Sequence, residues 1–158
     1  MTTAGQPILA SPTIPSIERC ALRFALTEEE NKELKEAYED GDLVEVFDAL
    51  LDKLFVVLGD FNEFGMAHML ETGFDEVTRS NLSKFCTSKE EAEATIVSLL
   101  ETFPSQKYHF EEVGKYFVVK NSTTGKIMKS INYSPADLKT IVEKALPQHS
   151  QDGEESNG

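Results

Sequence analysis

Basic residues are scarce in this chain: 15 Lys and Arg stand against 28 Asp and Glu over 158 residues, a formal net charge of −13. So acidic a composition argues against a surface built for a polyanion, whether nucleic acid or an anionic membrane. A nucleotide stays open, because a metal ion can reverse the sign inside one pocket. Cysteine is nearly missing. Cys20 and Cys86 are too few and too loosely placed for a disulfide framework or a thiolate zinc site, and they read as two reduced, inert thiols in a cytoplasmic protein. His68, His109 and His149 are scattered without partners at ligand spacing, which removes a histidine zinc site. No apolar run reaches membrane-spanning length, no basic-then-apolar leader is expected, and no internal repeat is evident. The length suits one domain with a real core.

Met1 to Pro15 is rich in Thr, Ser, Pro and Ala without periodicity, which predicts a mobile or loosely packed arm. Gln148 to Gly158 is polar and acidic and predicts a disordered tail, leaving the domain to residues 16–147. A first helix is expected from about Ile17 to Glu39 and a second from about Leu43 to Leu58. Between them lies the turn-like Glu39-Asp40-Gly41-Asp42. A third helix is expected from about Met66 to Ser80 on the stripe Leu70, Phe74 and Val77, with Gly59 and Gly65 punctuating the connection before it. Thr87 or Ser88, followed by Glu90 or Glu91, opens a short helix to about Thr102. Lys107 to Val113 and Lys115 to Lys120 flank Gly114 as a hairpin, and a third short run, Lys126 to Lys129, follows. Ser134 as cap and Pro135 at the first helical position predict a last helix to about Ala145. The fold class is therefore mainly α, an antiparallel helical bundle with a small helix-plus-β-hairpin insertion over about residues 87–122.

What is abundant is acid in unexpected places. Glu29, Glu30 and Glu33 form E-E-x-x-E on the first helix, and Glu45, Asp48 and Asp52 form E-x-x-D-x-x-x-D on the second. Residues three or four apart share a helical face, so each group is a vertical stack of carboxylates. Two readings of the first stack stay open. Thr27 with Glu30 would be a capping box if the helix began there; if it begins near Ile17, the acids continue the face of Leu22, Ala25 and Leu26. The second stack sits in LVEVFDALLDKLFVVL, apolar on nearly every side, where Lys53 is the only other charge. A helix that apolar is expected to be buried. Buried acids need a partner, a proton or a metal. Antiparallel packing would bring the stacks together, and facing carboxylates cannot all stay ionised without compensation. A hard dication, Mg²⁺ or Mn²⁺, suits an all-oxygen donor set.

The ordered pattern resembles the MazG-like and phosphoribosyl-ATP pyrophosphohydrolase-like superfamily of all-α nucleotide pyrophosphohydrolases. It reads Glu29-Glu30-Asn31-Lys32-Glu33, then Glu45-Val46-Phe47-Asp48 about a dozen residues later, with the Gly-Asp-Leu turn at 41–43 between them. Phe74-Asp75-Glu76-Val77 with Arg79 to Lys84 is similar to the family's third-helix segment. Gly125 to Lys129 and Tyr133 to Leu138 are similar to its C-terminal Lys-to-Tyr-Pro segment. The resemblance implies Glu30, Glu33, Glu45 and Asp48 as metal ligands, with Glu29 either a ligand or the group orienting the attacking water. It leaves Asp52 just outside that set, and it implies Asn81, Lys84, Lys129 and Tyr133 as triphosphate contacts. Arg79 could pair with Glu76 or Asp75 as readily as touch substrate. The implied reaction is Mg²⁺-dependent α–β phosphoanhydride hydrolysis of a nucleoside triphosphate, to monophosphate and pyrophosphate. Separately, the apolar surface of Leu43 to Leu58 is more than one slim bundle needs and predicts a homodimer or homotetramer, expected in the cytoplasm. The segment 87–122 is longer than the family's usual loop. The alternative is a non-catalytic, oligomeric nucleotide-binding or interaction protein of the same fold. A ferritin-like di-metal bundle would need Glu-x-x-His pairs, which the predicted bundle helices lack.

Overall fold

The Ser16 hydroxyl accepts the Arg19 N–H and starts α1, Ile17–Asp40, well before Thr27. Thr27 lies inside that helix, its hydroxyl donating to the Arg23 carbonyl, so the capping-box reading of Thr27 and Glu30 falls away. Gly41 ends α1 at φ 72°, a left-handed turn that glycine adopts without a Cβ clash. The Asp42 carboxylate then accepts the Val44 and Glu45 N–H groups and opens α2, Leu43–Glu63. The computed structural model describes residues 9–147; the expected tail and the first eight residues of the expected arm lie outside them. The described residues divide into two compact units, residues 9–71 with 139–147, and residues 72–138.

In the first unit α1 packs along α2, with the small Ala37 and Ala49 buried between larger neighbours. Two ion pairs fix the antiparallel register. Arg19 forks onto Glu63 at 2.9 and 2.5 Å, and Arg23 reaches Asp60 at 2.6 Å while also donating to the Val56 carbonyl at 2.5 Å. Gly59 makes room for this, since a Cβ there would sit 2.6 Å from Arg23 Nη2. Gly65 is needed for another reason. It has φ 67°, and a Cβ would lie 2.1 Å from the Ser11 carbonyl oxygen, where the residues before α1 cross and Thr13 N–H bonds Phe64 O.

The expected burial of α2 is not what the chain makes. Only Ala49 and Val56 are buried on it, while Leu43, Phe47 and Phe55 are 82, 64 and 77% exposed. Among the described elements α1 is the main neighbour of α2 and covers one face, whereas the apolar residues of α2 run round most of its circumference.

A 3-10 turn at Ala67–Met69 precedes α3, Leu70–Leu82, so the single third helix predicted from Met66 is in two pieces. In the second unit α4, Lys89–Thr102, starts on a capping box. The Ser88 hydroxyl accepts the Glu91 N–H, and the Glu91 carboxylate accepts the Thr87 N–H. Strands β1, Tyr108–Val113, and β2, Tyr116–Asn121, pair antiparallel, Tyr108 facing Asn121 and Val113 facing Tyr116. The third run adds only a bridge, Lys120 to Ile127. Cys86, Ala92 and Val119 are the buried centre, packed by Ile96, Leu99, Phe110 and Phe117. Both cysteines are free thiols.

The last helix, α5, spans Leu138–Ala145 and begins later than Ser134 and Pro135 predict. The backbone of that stretch has other partners. Ser134 N–H donates to Ser83 Oγ, Pro135 O accepts from Arg79, and Asp137 N–H donates to Glu76. Glu76 also forks onto Arg79 at 2.7 Å. Its bonds from Arg79 and the Asp137 N–H hold its carboxyl down at about 2.

Two measurements check these supports. Arg23→Ala removes a guanidinium that is only 13% exposed and leaves Asp60 and Val56 O without it; a loss of about 2 kcal/mol is expected, read as a lower denaturant midpoint at unchanged slope. Glu76 has a depressed folded-state value, so its contribution is full above the ordinary 4.5 and fades as pH falls towards about 2. Glu76→Gln is therefore expected to melt below wild type at neutral pH, and the gap is expected to close in strong acid.

Candidate active site

The register of α1 on α2 gathers carboxylates around one glutamate. Glu30 is half-buried, and its Oε2 is buried without any hydrogen-bond partner. Burial raises its carboxyl above the ordinary value, and the charges of Glu33, Asp52, Glu29 and Asp48 push it the same way. Five of the six acids singled out in the sequence thus act at one point. Asp52, which the sequence reading sets outside the ligand group, acts on Glu30 ahead of Glu29 and Asp48. Glu45 lies in the first turn of α2 and is not among the charges that act most on Glu30.

The donor set fits a hard dication. It is all oxygen, anionic, and carried by two adjacent helices, and one buried oxygen in it lacks any bond within the protein. In the side-chain arrangement seen, no three Asp, Glu, His or Cys among the described residues close to metal-binding spacing. Glu29, Glu33, Glu45, Asp48 and Asp52 are all exposed. Their side-chain torsions have staggered alternatives on fixed helical backbones.

The second unit assembles a group of its own. Lys84 Nζ donates to Asn81 Oδ1 at 2.7 Å, and Lys129 Nζ lies over the Tyr133 ring, 4.1 Å from its centre. The Tyr133 phenol is held below its ordinary value by a bond from Ser80, with burial opposing and the charges of Lys129 and Lys84 assisting. All four predicted contacts, Asn81, Lys84, Lys129 and Tyr133, therefore come together. Arg79 is held by Glu76 and the Pro135 carbonyl, and Tyr133 also acts on its guanidinium.

The sequence reading missed what holds this group in place. Glu91 on α4 accepts from Ser130 Oγ, and Thr95 Oγ1 accepts the Ile131 N–H at 3.2 Å. Ser130 Oγ in turn accepts the Asn132 N–H at 2.9 Å. Burial alone would raise the Glu91 carboxyl, but its bonds to Ser130, Thr87 and Asn132 outweigh burial and hold it low. The expected insertion thus braces the segment bearing Lys129 and Tyr133. Glu91 carried only a capping signal, and Ser80 no signal at all, because both partners are distant in sequence.

Known proteins bear on the first unit most directly. The chain is similar to Uncharacterized protein L479 of Acanthamoeba polyphaga mimivirus, at 36% identity over 78 residues, 47% of this chain and 31% of that protein. It spans less than a third of the length of that curated relative. The family model described as Phosphoribosyl-ATP pyrophosphohydrolase matches residues 1–81. That stretch holds both acid stacks and ends on Asn81, leaving Lys84, Lys129 and Tyr133 beyond it. With half the chain matched and the helical fold in place, the chain belongs to the phosphoribosyl-ATP pyrophosphohydrolase family, a MazG-like, all-α group.

Proposed function

We propose that this protein hydrolyses the α–β phosphoanhydride bond of a nucleoside triphosphate or related nucleotide, in a Mg²⁺- or Mn²⁺-dependent reaction, to a monophosphate and pyrophosphate. The observation that carries this reading is Glu30, whose buried, unbonded oxygen sits amid four other acids of the family-matched segment. Glu30, Glu33, Glu45 and Asp48 would hold the cation, and Asp52 adds to the field that draws it. The ion, when bound, supplies Lewis-acid chemistry, drawing charge from phosphate oxygens and acidifying water.

The chain's own groups supply the rest. Glu29, if not itself a ligand, accepts a proton from the attacking water and orients its lone pair. The water oxygen bonds to phosphorus at the α–β linkage, the bridging P–O bond breaks, and pyrophosphate leaves with the electron pair. Lys84 and Lys129 act as compact point charges against phosphate oxygens, while Asn81 and Tyr133 add hydrogen bonds. Donors fixed in advance, as the brace from Glu91 and Thr95 fixes this segment, stabilise developing charge without reorganising.

A second copy of the chain is the proposed partner for the open face of α2, giving a homodimer or homotetramer. Leu43, Phe47, Leu51, Leu54, Phe55 and Leu58 are exposed along that helix, more apolar surface than a lone protomer ordinarily leaves wet. The nucleotide is the proposed small-molecule partner, with no nucleic-acid polymer or membrane, in the cytoplasm. No helix among the described residues is long and apolar enough to cross a membrane.

A panel of nucleoside triphosphates with Mg²⁺ or Mn²⁺ tests the reaction, with products resolved as monophosphate plus pyrophosphate or diphosphate plus phosphate. Either cation is expected to raise the wild-type Tm. Glu30→Gln and Asp48→Asn are expected to abolish turnover and that shift while melting no lower than wild type in EDTA; normal hydrolysis by Asp48→Asn would remove the assignment. Lys84→Ala and Lys129→Ala are expected to lower kcat/KM at least about tenfold, about 1.4 kcal/mol, and to keep the metal-induced shift. Light scattering at micromolar concentration is expected to give a dimer or tetramer, and Phe55→Glu a smaller species. A wild-type monomer overturns the assembly.

A further inference from the structure

The second unit contains a cleft of about 700 Å³, in the range usual for small-molecule sites. Three lysines line it, Lys84, Lys126 and Lys129, in a chain whose net charge is −13. The contacts described for two of them are to neutral groups, Lys84 to the Asn81 amide and Lys129 to the Tyr133 ring. Asn81 also lines the cleft, and the remaining walls are apolar. Phe85 follows α3, Leu99 projects from α4, and Ile127 and Met128 come from the run that bridges β2.

One side of the cleft is anchored. Leu99 and Met128 pack against the buried Cys86, Ala92 and Val119, and Met128 N–H bonds Val119 O at 2.8 Å. The mouth is not closed, since Leu82 and Ile127 are 42 and 45% exposed. An apolar wall beside a cationic rim is complementary to a ligand that is anionic at one end and apolar at the other. An inorganic polyphosphate satisfies only the rim. A nucleotide satisfies both, its phosphates meeting the lysines and its flat base the wall. The rim shared with Lys84 and Lys129 does not explain the wall, and Leu99 lies in the segment by which this chain exceeds the compact family pattern.

We infer that this cleft seats the nucleobase, and that Leu99 and Ile127 determine which base is accepted. The identity of the ligand rests on the nucleotide reading above, whereas base recognition can be measured without turnover. The test is calorimetric binding to the full chain in EDTA, using nucleoside triphosphates of each base and inorganic triphosphate as the base-free probe. Wild type is expected to bind at least one nucleotide about tenfold or more tightly than inorganic triphosphate. Leu99→Trp and Ile127→Trp each add bulk to the apolar wall and narrow the cleft. Each is expected to weaken nucleotides about tenfold or more, unequally among bases, and to leave inorganic triphosphate within about twofold. Ile127 is half-exposed, so its variant serves if Leu99→Trp disturbs the packing, and thermal melting checks both. Nucleotide affinities unchanged in natively melting Ile127→Trp overturn the inference, as does wild type that binds no nucleotide better than inorganic triphosphate. The two readings fail separately. Protein that binds nucleotides through the cleft but hydrolyses none with Mg²⁺ or Mn²⁺ loses the hydrolase reading alone. Protein that hydrolyses them with the same base preference in both tryptophan variants loses the cleft alone.

Discussion

The antiparallel register of α1 on α2 is the constraint on which the acidic site depends. Arg19 on Glu63 and Arg23 on Asp60 set it at one end of the helix pair, and the Gly41-Asp42 turn sets it at the other. The same register that puts Arg19 beside Glu63 puts Glu30 beside Asp52 and Asp48. Moving either helix by one residue rotates its side chains by about 100°, which would disperse the cluster. Like charges at Glu30 oppose the pairing that the arginines favour, where Arg23 makes two bonds at once and its loss would leave Asp60 without its partner.

A comparable division of labour appears in the second unit. Asn81, Lys84, Lys129 and Tyr133 are the groups proposed to meet phosphate, but lysine side chains are long and have several rotamers. The order comes from α4, where Glu91 and Thr95 bind the backbone and hydroxyl of the segment after Lys129. Helix α4 is thus a structural brace, and through Leu99 it also forms a wall of the cleft.

The apolar character of α2 serves two surfaces. One, through Ala49 and Val56, meets α1; the other, through Phe47, Leu51 and Phe55, remains open in the single chain. A helix apolar around its circumference has an incentive to bury that second face, and carboxylates on such a helix are set in surroundings less polar than an ordinary surface. The open apolar face and the acidic cluster therefore share one element.

Local signals were legible in the sequence. Gly41 and Asp42 as a helix stop and start, Ser88 with Glu91 as a capping box, and Gly114 between alternating strands depend on neighbours within a few residues, so composition and spacing determine them. The acid stacks were legible for the same reason, because helical periodicity fixes which carboxylates share a face. Other features belong to the folded chain alone. Ser134 and Pro135 carry a sound start signal, yet α5 waits until Leu138 because Ser83, Arg79 and Glu76 bind the intervening backbone from far away in sequence. The Leu43 to Leu58 run predicts burial, but how much of it is covered depends on how many partners reach it, which periodicity does not contain. Only tertiary packing decided that Glu30, of six similar acids, has its oxygen buried without a partner, since burial depends on what the facing helix places above it.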